Sequence, residues 1–143
     1  FWAKSVRIFS KAHRQLGKLN SVHETIVMTI RVKRVYDPIQ KTDGFRILID
    51  RLWPRGISKE TAKIDLWLKL LTPSAKLRQW FHQNRTDRFT EFEKLYLKEL
   101  TKNKTDIKNS LPKSDTITLI TAVKDINHSH IPTLVNFLSQ FYF

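Results

Sequence analysis

Seven consecutive residues, Asp50-Arg51-Leu52-Trp53-Pro54-Arg55-Gly56, bring together one acid, two guanidinium groups, an indole and two turn-forming residues. Arginine offers a planar fork of donors matched to the paired oxygens of a carboxylate or phosphate, and a neighbouring carboxylate can orient that fork or exchange a proton. A second polar run, Lys124-Asp125-Ile126-Asn127-His128-Ser129-His130, carries a lysine, an aspartate and two imidazoles. Together the two runs spell anion binding. Arg51, Arg55, Lys59, Lys124 and His128 are the candidate cationic ligands, Asp50 and Asp125 the candidate catalytic groups for proton transfer, and Trp53, Pro54 and Gly56 the residues that shape the pocket. The same types permit a plainer reading, in which Asp50 pairs with Arg51, Arg55 or Lys124 and Trp53 merely closes over the core. Residue types alone leave both open.

Whatever holds these runs must bring them to one place. Phe45 to Asp50 reads as a buried strand entered by the turn pair Asp43-Gly44, and Thr116 to Val123, β-branched and almost uncharged, as a central one. An earlier strand includes Ile30, Val32, Val35 and Tyr36 and closes at Asp37-Pro38. After the apolar patch Trp67 to Leu71, Ser74 caps a helix with Leu77, Trp80 and Phe81 on one face. Thr86 or Asp87 caps the next, whose face is Phe89, Phe92, Tyr96 and Leu100. A short helix fits 104 to 110, and a last one begins near Ser129. Strands alternating with helices predict an α/β fold, a small layered sandwich with a mostly parallel or mixed short sheet flanked by helices. The strands at 45–50 and 116–123, separated by helices, should run parallel; the short link after Tyr36 favours a hairpin between the first two. Parallel pairing would place Asp50 to Gly56 and Lys124 to His130 at one carboxyl edge, beside the positive end of the last helix.

Composition narrows the classes. The 143 residues suit one domain, and the lack of cysteine excludes disulfides and thiolate chemistry and fits a cytoplasmic setting. A net charge of +13 favours anionic partners, whether a small anionic ligand or nucleic acid. Residues 1–27 hold five basics and one acid, so nine of those charges belong to 28–143. We read 1–27 as a basic extension, possibly not native and sitting before the lone Met28, with Trp2, Val6, Phe9, Leu16 and Leu19 at roughly helical spacing, and 28–143 as a single α/β domain. No run is apolar enough to cross a membrane as a helix. With three scattered glycines there is no phosphate-cradling loop.

The sequence "DGFRILIDRLWPRGISK", followed by "WLKLLTPSAKLRQWF", "FEKLYLKEL" and "LITAVKD", resembles the YeaO-like family of small uncharacterised bacterial proteins over about residues 35 to 140. The resemblance implies a compact cytoplasmic α/β domain, and implies neither an activity nor a cofactor. Its characteristic polar positions fall on Asp50, Arg51, Trp53, Pro54, Arg55, Gly56 and Lys59, then on Trp67, Lys69, Ser74, Arg78, Lys124 and Asp125. Thr121, and Ser129 with Ile131, depart from the family's pattern, which puts ligand preference in question. A metal on His128, His130 and Asp125, or a triad from Ser74, His82 or His128 and Asp50 or Asp125, ranks lower, since His-x-His entering a helix diverges and no nucleophile elbow is present. Two functions remain: a small domain that binds, and possibly acts on, a phosphorylated or carboxylated metabolite, and a nucleic-acid accessory protein with a basic face.

Overall fold

The computed structural model describes the backbone of residues 6–16 and 20–141, with side chains from 28 to 140. Among the described residues the sheet has five strands, β1 (Val6–Leu16), β2 (Asn20–Arg34), β3 (Phe45–Leu48), β4 (Leu66–Trp67) and β5 (Thr116–Thr121), in the order β1-β2-β5-β3-β4. The last four in that order run parallel, and β1 lies antiparallel to β2, with Val6 opposite Ile30 and Leu16 opposite Asn20. Among the described residues five α-helices complete the α/β fold: α1 (Lys59–Ala62), α2 (Ala75–Gln83), α3 (Arg85–Lys102), α4 (Lys104–Ser110) and α5 (Ile131–Phe141).

Strand alternation divides the apolar side chains between two faces. Ile30, Val32, Ile47, Ile49, Ile117 and Leu119 meet α2 to α5 in the main core, through Leu77, Phe81, Phe92, Tyr96, Ile107 and Leu134. Each such fully buried aliphatic contributes about 1.5–3 kcal/mol. The opposite face carries Val35, Leu48 and Ile120, covered by Ala62 of α1 and the loop residues Trp53, Ile57 and Ile64. Helices therefore cover one face and the 50–65 segment the other.

Two expectations from the sequence are corrected. The strand through Val32 and the strand at Phe45 form no hairpin: β5 lies between β2 and β3 and pairs parallel with both. The link of ten residues, 35–44, reaches about 33 Å when extended, enough to return along so short a strand without a helix. Likewise, the described part of 6–27 is strand, while Trp2 and Leu19 lie outside the described residues. Thr25, Ile26, Val27, Thr29 and Ile30 are β-branched, and that run favours a strand over a helix. A smaller difference concerns α3, which is capped by Asn84, whose Oδ1 accepts from the Asp87 N–H at 3.2 Å.

Asp43 anchors the short link. One carboxylate oxygen accepts from Lys33 Nζ of β2 at 2.8 Å; the other accepts from Arg46 of β3 at 2.7 Å and from the Gln40 N–H at 3.1 Å. Its backbone carbonyl accepts from the Thr118 hydroxyl of β5. All three middle strands thus meet at one residue, 1% exposed. Gly44 follows at φ 63°, where a Cβ would sit 2.4 Å from the Thr116 carbonyl oxygen, so only glycine fits. Burial pushes the Asp43 carboxyl up, but the hydrogen bonds from Lys33, Gln40 and Arg46 outweigh it and hold the group below its ordinary 3.8.

A depressed carboxyl contributes stability that is complete above about pH 3.8 and is lost as the pH falls through that value. Asp43→Asn is expected to lower the unfolding free energy by about 3–5 kcal/mol at pH 7, since it strands Lys33 and Arg46 as buried cations, and to flatten the acid limb. Denaturant titrations at pH 7 and pH 3 check both; a loss below about 1 kcal/mol at pH 7 would refute the anchor.

Candidate functional site

The site begins where β3 ends. Ile49 N–H still donates to Ile120 C=O at 3.0 Å, and the next residue, Asp50, turns its carboxylate on the end of β5. Oδ1 accepts from the Thr121 hydroxyl at 2.6 Å and Oδ2 from the Ala122 N–H at 2.7 Å. The Asp50 carbonyl takes the Trp67 indole N–H at 2.7 Å. One residue thereby ties the carboxyl ends of β3 and β5 together and holds the indole of β4 beneath them.

The rest of the loop is similarly committed. Trp53 donates from Nε1 to the Ile57 carbonyl at 2.7 Å and meets Trp67 edge-on at 5.6 Å; Pro54 is buried, and Gly56 takes φ 77°. Tyr36 Oη donates to the Arg55 carbonyl at 2.9 Å. With the backbone fixed by these contacts, Arg51 and Arg55 project from a rigid turn. Arg51 reaches the Pro73 carbonyl only at 3.5 Å.

Across from the loop, α2 is pinned at its start, where the Ser74 N–H and hydroxyl donate to Glu99 at 2.9 and 2.6 Å. At its end the chain reverses at Asn84, so that Phe81 stacks on Phe92 at 4.1 Å. These fixed points present Arg78, His82 and Arg85. The β5 end supplies Lys124 and Asp125, and the start of α5 supplies His130.

A cleft of about 530 Å³ lies between these elements at the carboxyl edge of the parallel strands. Arg51, Arg55, Arg78, Arg85 and Lys124 line it, against two carboxylates, Asp50 and Asp125. Among the described residues the ion pairs are Lys33–Asp43, Arg46–Asp43 and His128–Asp125, and none includes a cation of the cleft. Asp125 is held by His128 Nδ1 at 2.9 Å, with both side chains exposed. Arg85 also lies over the Phe81 ring at 5.4 Å.

The two runs singled out in the sequence therefore meet: Asp50, Arg51, Trp53, Pro54, Arg55, Lys124 and Asp125 all line the cleft. Gly56, Lys59 and His128 are not among its walls. Lys59 Nζ sits over the Trp53 ring at 5.9 Å, and His128 caps Asp125 at the surface. Arg78, His82, Arg85 and His130 also line it; the sequence marked Arg78 only as a family position, His82 only for a triad and His130 only for a metal, and did not mark Arg85. A signal existed for two of them, since Arg78 and His82 stand at i and i+4 beside the apolar stripe of α2, whereas Arg85 opens α3 beyond the break at Asn84. Groups of three or more metal-ligating side chains do not occur among the described residues. Ser74 gives its hydroxyl to Glu99 and is not among the walls of the cleft.

His130 is part-buried at the base of the cleft and bonds through Nε2 to the Ile49 carbonyl at 2.9 Å, which places the proton on that nitrogen. Burial holds its pKa below the ordinary 6.5; the Ile49 bond and Asp50 work against this, and Arg78 adds to it. His82 is held down by burial and then by Arg85 and Arg78. Both imidazoles thus stay neutral to lower pH than usual.

A family profile described as "Inactive DUF488-N3 subclade" matches residues 29–142. The chain is 41% identical to the uncharacterised protein YeaO of Escherichia coli, over 78% of this chain and 97% of that one. It is 36% identical to the uncharacterised protein Rv3073c of Mycobacterium tuberculosis, over 77% and 93%. No solved structure matches it.

Asp50→Asn is expected to destabilise the fold by about 1–3 kcal/mol, because an amide can accept from Thr121 or Ala122 but must turn a donor towards the other. Chemical denaturation measures it, and a neutral result would remove Asp50 as the clamp. For His130, a depressed imidazole pKa means stability is complete above about pH 6.5 and declines as the pH falls through it. His130→Gln should lessen that decline in melting temperature between pH 7 and pH 5; an unchanged pH profile would count against it.

Proposed function

The chain belongs to the inactive DUF488-N3 subclade, and from that premise we propose that its cleft binds a small phosphorylated or carboxylated anion without turning it over. The observation that carries this reading is the unpaired charge. Arg51, Arg55, Arg78, Arg85 and Lys124 converge from the 50–56 turn, the α2–α3 corner and the end of β5, and the two carboxylates beside them are engaged elsewhere. Guanidinium forks on rigid backbones recognise oxyanions, and bringing them together without acids is unfavourable until an anion arrives.

Binding without catalysis is supported by the same geometry. A general base is weakened by donors that stabilise its charged form, and each Asp50 oxygen already accepts a hydrogen bond from the end of β5. Asp125 is exposed and held by His128. Among the described residues no helix is long and apolar enough to cross a membrane, and the cysteine-free composition supports placing this binding in the cytoplasm. A broad basic face for nucleic acid would spread its cations over an exposed surface; concentration of five in one concavity favours the small ligand.

Sulfate or inorganic phosphate is expected to raise the melting temperature in a concentration-dependent way, by an amount equivalent to about 2.7 kcal/mol at 100 times the dissociation constant. Arg51→Ala and Arg78→Ala should each abolish most of that shift while leaving the unliganded melting temperature nearly unchanged. Equal shifts in the wild type and both variants would overturn the site.

A further inference from the structure

We infer that the ligand of this cleft is an organic phosphomonoester with an apolar body rather than a bare inorganic anion, an inference that rests on the anion-binding reading above. Three observations lead there. The first is size: about 530 Å³ falls within the roughly 300–1,000 Å³ of sites for drug-sized molecules, and a single tetrahedral anion would leave most of it to water.

The second is charge and shape. Four of the five cleft cations are arginines, and five cations against two lining carboxylates leave a surplus of three positive charges. A dianionic phosphate, whose three terminal oxygens accept several forks at once, matches that surplus better than a monocarboxylate.

The third is Leu52. At 70% it is the most exposed large apolar side chain among the described residues, and it lines the cleft between two arginines of the same turn. The turn cannot relieve this by rotating inward, because Trp53 and Pro54 hold the inner positions and the Asp50 clamp fixes the entry. Pro73 and Val123 add apolar wall to the same cleft. An apolar wall of Leu52, Pro73 and Val123 beside guanidinium groups matches a ligand that gives its charge to the arginines and its apolar body to Leu52.

The test is calorimetric titration of the full chain with inorganic phosphate, methyl phosphate and phenyl phosphate at one pH and ionic strength. Phenyl phosphate is expected to bind about ten-fold tighter than methyl phosphate, the scale a pocket gains from a modest apolar contact. Leu52→Ser, a change at an exposed position, should shrink that preference several-fold. Equal affinities for phenyl and methyl phosphate would overturn the apolar-body inference while leaving the anion site standing. No heat of binding with any of the three would overturn both. A phenyl preference undiminished in Leu52→Ser would overturn the assignment of Leu52 as the contact.

Discussion

The cleft depends on the Asp50 carboxylate. Parallel strands have no hairpin to fix their relative ends, so where β3 and β5 stop, something must keep the two exits together. Asp50 does so by accepting from the Thr121 hydroxyl and the Ala122 N–H, and its carbonyl holds the Trp67 indole from β4. Everything that lines the cleft from the sheet side leaves from this clamp within a few residues: Arg51 and Arg55 on one exit, Lys124 and Asp125 on the other. A charged acceptor bonded to a backbone amide is stronger than a neutral one, which suits a joint that must position arginines rather than merely connect elements.

The opposite end of the sheet uses the same device on a buried scale. Asp43 links β2, β3 and β5 through Lys33, Arg46 and Thr118. Its cost is desolvation, and its effect is register, because the link between β2 and β3 is too short to carry a helix that could pack against that face. Each aspartate therefore performs a task that apolar packing cannot. Leu48 and Ile120 fill the face, but only directional bonds decide where the chain turns off it.

What the sequence disclosed follows from how local each signal is. The DRLWPRG turn and the Lys124–His130 run could be read as neighbours because both follow short apolar strands, and parallel strands bring their carboxyl ends to one edge. Arg78, His82 and Arg85 were harder, since basic residues on a helix usually face solvent; the reversal at Asn84, which packs Phe81 on Phe92, brings Arg85 of α3 to the same cleft as the two on α2. The absent hairpin was misjudged on loop length, a statistic that does not include the reach of an extended chain anchored by a buried aspartate. Trp53, read either as shaping the pocket or as closing over the core, does both: it lines the cleft, packs against the second cluster, and has its indole bonded to Ile57 and set against Trp67.

A sequence selected for stability alone would not leave this cleft as it is. Two like charges 4 Å apart cost up to about 4 kcal/mol at an effective dielectric near 20, and two carboxylates offset the repulsion among five cations only in part. The remedy lies within reach, because Asp50 and Asp125 already border the cleft. Both are directed away, one to the strand end and one to His128. Burial and neighbouring arginines also hold the imidazoles of His130 and His82 neutral, so they add no charge of their own near neutral pH. At several positions outside the cleft local preference and global fold agree: Ser74 and Asn84 cap helices and Gly44 takes the turn that only glycine fits. Five cations facing two carboxylates in one cleft are a local conflict of the kind that supports the proposed anion site, where a ligand would supply the remaining negative charge.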